Sequence, residues 1–263
     1  MENGSAYPLA PWGQHSLPGE EPVLWKFGPL TLQVKSLGNE VWIAARRDHP
    51  EDTQPENTAS REAPKWSRWA LDRTYGKVDM IPVFPDRPIV VKPEVPFHLI
   101  RNGGRAAIYI RVPLWVRVDL VNGNSRITLM EIPITILSDT WFGSYTGGTG
   151  GELCYWISSG AGRDLDPGPV KPHLAACSVN IRNNSNEDLH VDKICLVVAY
   201  LSLFTRDGQL FSDEAQIDFK GSRESSNFSV SGTAPFPNAV LVSAPRTTAK
   251  PDFSARTLLS FMT

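Results

Sequence analysis

Residues 138–155 hold the densest mixture of chemically useful side chains in the sequence. They run Ser138-Asp139-Thr140-Trp141-Phe142-Gly143-Ser144-Tyr145, then a stretch carrying Gly147, Gly148, Gly150 and Gly151, then Glu152-Leu153-Cys154-Tyr155. Glycine lets backbone amides approach a ligand closely. Trp141, Phe142, Tyr145 and Tyr155 offer aromatic faces, and Asp139 and Glu152 offer carboxylates. Aromatic platforms beside carboxylate acceptors suit a polyhydroxylated ligand such as a sugar. Two carboxylates flanking one bond would suit hydrolysis, with one as general acid and the other as base or nucleophile. A packing role competes with both readings. Turn chemistry accounts for the glycines, and Trp141 and Phe142 would then plug the end of a β-sandwich.

Other chemistries are disfavoured by spacing. A phosphate-binding loop of the Walker type ends in Gly-Lys-Ser/Thr, and the glycine-rich stretch has no lysine. A dinucleotide fingerprint needs a helix after its glycines, whereas Leu153–Ile157 has the pattern of a strand. The sequence contains neither Gly-x-Ser-x-Gly nor His-Glu-x-x-His. His173 and Cys177 are four apart, a spacing that gathers ligands on a helix but not at the start of a strand. His98 and His190 each stand alone within alternating segments. Asp164 and Asp166 flank Leu165 without the EF-hand pattern. No metal site or cofactor is expected, and no catalytic residue is assigned.

The elements that must position these residues are strands. Leu30–Val34 and Glu40–Ala44 alternate with period two around Gly38-Asn39, which predicts a hairpin. Phe97–Ile100 and Ala106–Val112 flank Asn102-Gly103-Gly104, and Val116–Val121 and Ile127–Leu129 flank Asn122-Gly123. Asn-Gly between alternating runs signals a hairpin, because the tight turn needs positive φ at its centre. Ser178–Arg182 and Leu189–Asp192 alternate again. Ile194–Phe204 is apolar on both faces, which predicts one central strand. Asp207-Gly208 then turns the chain into Leu210-Phe211, with further strands at Ile217–Phe219, Phe228–Val230 and Val240–Val242. Prolines 82, 85, 88, 93 and 96 mark edges and strand starts, since proline cannot donate to a ladder. Helical signals are confined to Trp66–Leu71, where Trp66 and Trp69 are three apart, and Ser254–Met262. The expected fold is therefore all-β: an antiparallel β-sandwich in two packed halves with little helix.

Along the chain, residues 1–22 predict a proline-punctuated flexible arm that Trp12 anchors. Residues 23–145 form a first β-rich half interrupted by a polar insertion at 48–65, which has no side chains to bury. Residues 146–172, rich in glycine and then proline, form a loop or linker. Residues 173–263 form a second β-rich half.

The chain has 263 residues, 41% of them hydrophobic, enough for a core without staples. Its 26 basic and 28 acidic side chains give a net charge of −2. Phosphate contacts dominate nucleic-acid affinity, so this balance predicts no nucleic-acid partner. Arg101, Arg105, Arg111 and Arg117 fit outward positions on strands. Three widely spaced cysteines, Cys154, Cys177 and Cys195, do not make a disulfide framework. Met1–Gly19 lack the basic and apolar regions of a secretory leader, and Ile194–Phe204 is far shorter than a membrane helix. A cytoplasmic protein with no membrane span is expected.

The Asp-Thr-Trp-Phe-Gly run at 139–143 and the Gly-Glu-Leu-Cys-Tyr run at 151–155 resemble an uncharacterised prokaryotic all-β family, a domain of unknown function. The resemblance implies no activity, ligand or catalytic residue. The residues favour a non-enzymatic ligand-binding or assembly module over a carbohydrate-active or other hydrolase. Its partner would be a small molecule or a protein, a second copy of the chain included. The expected contact residues are Asp139, Trp141, Phe142, Tyr145, Glu152 and Tyr155.

Overall fold

A computed structural model describes residues 11–48, 64–143, 151–165, 171–221, 226–248, 254–255 and 259–260. The polar insertion falls outside these residues at 49–63, as do residues 1–10 of the arm, Tyr145 and Gly147, Gly148 and Gly150.

The fold is all-β and sandwich-like, with one short 3-10 turn and no α-helix among the described residues. None of them forms a helix long and apolar enough to cross a membrane. The chain divides into two compact units, each assembled from separate stretches. The first takes residues Met1–Val83, Leu114–Thr135 and Lys171–His173, and the second takes Phe84–Pro113, Ile136–Val170 and Leu174–Thr263. The loop or linker reading of 146–172 is set against this: described residues 151–161 are a strand of the second unit, and 171–173 belong to the first.

The first unit holds β1 (Gly13–Ser16), β2 (Val23–Phe27), β3 (Leu30–Leu37), β4 (Glu40–Arg47), β5 (Ser67–Ala70), β6 (Lys77–Val83), β10 (Trp115–Asn122) and β11 (Ser125–Pro133). One antiparallel sheet runs β1-β6-β10-β11 and another β2-β3-β4-β5. Leu30, Leu32, Val34, Val41 and Ile43 are buried on alternate positions of the β3–β4 hairpin, as period-two burial requires. Gly38 turns that hairpin at φ 59°. Pro82 lies beyond the reach of β1, which pairs β6 only from Lys77 to Met80, so its missing N–H breaks no ladder bond. The arm is tied down from Trp12 onward, whose Nε1–H donates to the Pro172 carbonyl at 3.0 Å.

The second unit holds β7 (Ile89–Pro93), β8 (Phe97–Leu99), β9 (Gly104–Pro113), β12 (Ser138–Gly143), β13 (Gly151–Ala161), β14 (Leu174–Asn183), β15 (Leu189–Val191) and β16 (Lys193–Leu196). It continues through β17 (Leu203–Arg206), β18 (Gln209–Ser212), β19 (Ala215–Phe219), β20 (Ser226–Val230), β21 (Val240–Ser243), β22 (Ser254–Ala255) and β23 (Leu259–Ser260). One sheet runs β12-β13-β7-β16-β23, β8 pairs β15 in a two-stranded ribbon, and an eight-stranded sheet is centred on β14. Most pairings are antiparallel; β13–β7, β14–β18 and β14–β19 are parallel. β9 covers one edge of β14 along its whole length. The other edge takes β18 at Ala175–Ala176 and then β19 at Val179–Asn183, leaving Asp213 and Glu214 at the break between them.

Four local expectations are corrected. Trp66–Leu71 is not a helical turn: Ser67–Ala70 is a strand on β4, and the Trp66 ring meets Trp42 at 6.3 Å. Ser254–Ala255 and Leu259–Ser260 are strand pairs rather than parts of a helix. The Asn102-Gly103 turn forms, with φ 58° and 118°, but its flanking strands are not partners. β8 pairs β15 and β9 pairs β14, because positive φ reverses the chain without choosing the neighbour. Finally, Ile194–Phe204 is two strands in different sheets, broken by a 3-10 turn at Val198–Tyr200. Both halves stay buried, which is why the apolar run looked continuous.

Candidate functional site

Asp139, Trp141, Phe142, Glu152 and Tyr155 all fall on one hairpin, β12–β13, with β12 at the end of its sheet. The antiparallel register pairs Asp139 with Tyr155, Trp141 with Leu153, Phe142 with Glu152 and Gly143 with Gly151. Successive side chains of a strand point to opposite faces. One face therefore carries Asp139, Trp141, Leu153 and Tyr155, and the other carries Thr140, Phe142, Glu152 and Cys154.

The first face is polar at one end and apolar at the other. Arg87 donates from Nη1 to Asp139 Oδ1 at 3.0 Å, and its guanidinium lies 5.3 Å from the Tyr155 ring centre. The Tyr155 hydroxyl donates to Asp86 Oδ1 at 3.0 Å. Burial, then the hydrogen bond and charge of Asp86, raise the Tyr155 pKa, so the phenol stays protonated at neutral pH. Further along the ribbon, Trp141 and Leu153 are 41% and 42% exposed. The indole of Trp141 lies over Gly151, where a β-carbon would overlap the ring. Gly151 is the diagonal cross-strand neighbour of Trp141, within reach of a long aromatic side chain, and an aromatic ring laid over a glycine covers its bare backbone. Gly151 thus has a structural use as a seat for Trp141.

The second face turns toward the core. Phe142 is buried at 8% exposure and Cys154 is fully buried, so Phe142 packs rather than presenting a ring to solvent. Glu152 is exposed as a residue, yet burial around its carboxyl raises its pKa above the usual carboxylate value. Cys154 Sγ lies 3.9 Å from Cys195 Sγ, and all three cysteines are free.

Asp139 and Glu152 consequently stand on opposite faces of the ribbon. A glycosidase needs its two carboxyl groups on either side of one bond, about 5–9 Å apart across an open cleft. A sheet between them does not give that arrangement. Sequence reasoning missed Arg87 and Asp86, which complete the polar end. The only signal was their position in a proline-rich connection, and nothing in the spacing linked residue 87 to residue 139.

Elsewhere in the second unit, a cleft of about 470 Å³ is lined by Glu94, Phe97, Ile108, Arg163 and Asp164, among others. The Arg163 guanidinium stacks 4.8 Å from the Phe97 ring centre. None of Asp139, Trp141, Phe142, Glu152 and Tyr155 lines this cleft, whereas Asp164, which lacks an EF-hand pattern around it, does. Among the described residues, no group of three or more His, Cys, Asp or Glu side chains is placed to hold a metal ion.

No curated protein and no solved structure matches the chain. The matching family description is "Protein of unknown function (DUF432)", and since its model spans residues 11–263, the chain belongs to that family.

Proposed function

We propose that the protein is a non-enzymatic binding module, and that the Trp141–Leu153 face of the β12–β13 hairpin contacts its partner. The observation that carries this reading is a large exposed aromatic side chain seated on glycine beside an exposed leucine, with a fixed Arg87–Asp139 ion pair at the same face. Tryptophan and arginine are the side chains most enriched at binding hot spots. The face lies on an edge strand rather than in a pocket, which suits a protein surface, a second copy of the chain included. The free cysteines and the balanced charge support a reducing, cytoplasmic setting and a partner other than nucleic acid.

The test is Trp141→Ala, measured by melting and by light scattering over a range of protein concentrations, with a panel of soluble glycans as a second binding arm. Truncating a partly exposed contact residue is expected to cost under about 1 kcal/mol of stability while weakening self-association or glycan capture. A loss of about 3–5 kcal/mol, typical of a core aromatic, with association unchanged would send Trp141 to the core and sink the proposal.

A further inference from the structure

His98 and His190 are 92 residues apart in the chain, and the fold brings them face to face. They are direct register partners in the β8–β15 ribbon. Their rings stack with centres 4.5 Å apart and planes 29° from parallel. His98 is exposed and His190 half-buried, and neither imidazole has a hydrogen-bond partner among the described residues. The flanking positions explain why the pair is held on the outer face. Leu99 and Leu189 form the next register pair, Val191 lies opposite Phe97, and Leu99, Leu189 and Val191 are all buried.

The backbone under the two rings is tied in place at one end. Buried Asn183 donates from Nδ2 to the Leu99 and Glu187 carbonyls at 3.0 and 2.8 Å. The Asn102 and Gly103 amides donate to the Ser185 and Asn183 carbonyls at 2.8 and 2.7 Å. The Arg101 amide donates to Asp188 Oδ1 at 2.9 Å. These bonds fix the spacing of the strands, so only side-chain rotation separates the stacked rings from a chelating arrangement. Directly opposed β-carbons on antiparallel strands stand about 4.5–5.5 Å apart. Two imidazoles rooted there can turn one nitrogen each toward a cation at about 2.0–2.1 Å.

We propose that His98 and His190 form a two-imidazole site for a divalent first-row transition cation. Neutral imidazole suits Zn²⁺, Ni²⁺ and Cu²⁺, whereas Mg²⁺ and Ca²⁺ demand oxygen ligands. No third protein ligand joins the pair among the described residues, so water completes the coordination shell. An open shell of this kind leaves positions for an exchangeable ligand, as in sites that keep a free coordination position. Affinity should follow the Irving–Williams order, with Cu²⁺ bound more tightly than Ni²⁺, and Mn²⁺ weakly.

The experiment uses the untagged full chain titrated calorimetrically with ZnCl₂, NiCl₂ and MgCl₂, together with electron paramagnetic resonance of the Cu²⁺-loaded protein. Zn²⁺ and Ni²⁺ should bind with a step of one equivalent that Mg²⁺ does not reproduce, and the Cu²⁺ spectrum should show nitrogen coupling. Losing even an outer-shell partner costs a metal site about 10–100-fold, so either His98→Gln or His190→Gln should weaken binding at least about tenfold. His15→Gln, outside the pair, should leave it unchanged. Equal affinity in wild type and His98→Gln, or no saturable uptake by the wild type, overturns the site and leaves the rings as a packing stack. Should His190→Gln fail to fold, the exposed His98→Gln decides the question alone.

Discussion

Asp213 is the most exacting place to test the packing of the second unit. It sits at the break between β18 and β19 and is fully buried. Its Oδ1 accepts the Ser202 amide at 3.0 Å, while Oδ2 has no hydrogen-bond partner among the described residues. Burial pushes its pKa up from 3.8 to about 6, against the opposing pull of backbone amides that include Ser202. The folded state therefore holds a proton that the unfolded chain releases near pH 4. Between about pH 4 and 6 the native state binds more protons than the unfolded state, so stability falls as pH rises through that window. A shift of about two units corresponds to at most about 3 kcal/mol, at 1.36 kcal/mol per unit. Asp213→Asn removes the ionisation and keeps an acceptor for Ser202, though a neutral acceptor is weaker by about 1 kcal/mol. Above about pH 7 the variant should gain roughly 1–2 kcal/mol, and near pH 4 it should equal the wild type or fall slightly below it. Urea midpoints at both pH values, with the slope checked for constancy, measure the crossing. A difference between the two proteins that stays constant with pH would refute the reasoning. Cys177, adjacent to this break, is pushed up to about 12 by burial and does not titrate in the window.

Three further outcomes are expected. Arg126 forks between Asp79 Oδ2 at 2.7 Å and Asp119 Oδ2 at 2.8 Å, two nearly buried and directly opposed carboxylates. Arg126→Leu should therefore cost about 1–3 kcal/mol in a denaturant titration, since it leaves Asp79 without its cation while Asp119 keeps Thr128 and Arg117; a cost below about 1 kcal/mol would show the cluster to be solvated. Gly151→Ala should destabilise the wild type more than it destabilises Trp141→Ala, because the atoms nearest the new methyl all belong to the indole, and a double-mutant cycle with no coupling would contradict the seating. The native chain should resist alkylation at neutral pH, because the hydrogen bond to Cys154 and burial raise the Cys195 pKa and burial raises that of Cys177. In denaturant without reductant three thiols should appear, and a count of one would reveal a bridge.

The strands are largely legible in the sequence, and so are partners joined by a tight turn, such as β3 with β4, β10 with β11 and β17 with β18, but partners distant in the chain are not. Leu30–Val34, Val116–Val121 and Ser178–Arg182 alternate because each buries one face, and that is a local property. Pairing between distant segments is not local. Phe97–Leu99 looked like half of a hairpin with the segment after Gly104, yet it pairs with Leu189–Val191. The same gap hid the meeting of His98 with His190. In the candidate site, the segment was found but its geometry was not, because the register across the 144–150 connection sets which side chains share a face. A slip of one residue inverts every assignment. Asp139 and Glu152 match in chemistry, but parity of register separates them.

The interleaving of the two units governs the order in which the chain can complete itself during synthesis. The first unit has most of its strands by residue 83, but the inner neighbour of β6 is β10, which follows the whole excursion through β7, β8 and β9. Its last contribution, Lys171–His173, emerges after β12 and β13 have been made. β7 in turn must wait with one edge open for β13 and the other for β16. An emerging chain of this kind exposes unpaired edges for longer than one whose domains finish in sequence. Any truncation that ends between residues 84 and 170 removes strands or segments from both units at once, so the protein is not divisible into an amino-terminal and a carboxy-terminal fragment that fold separately.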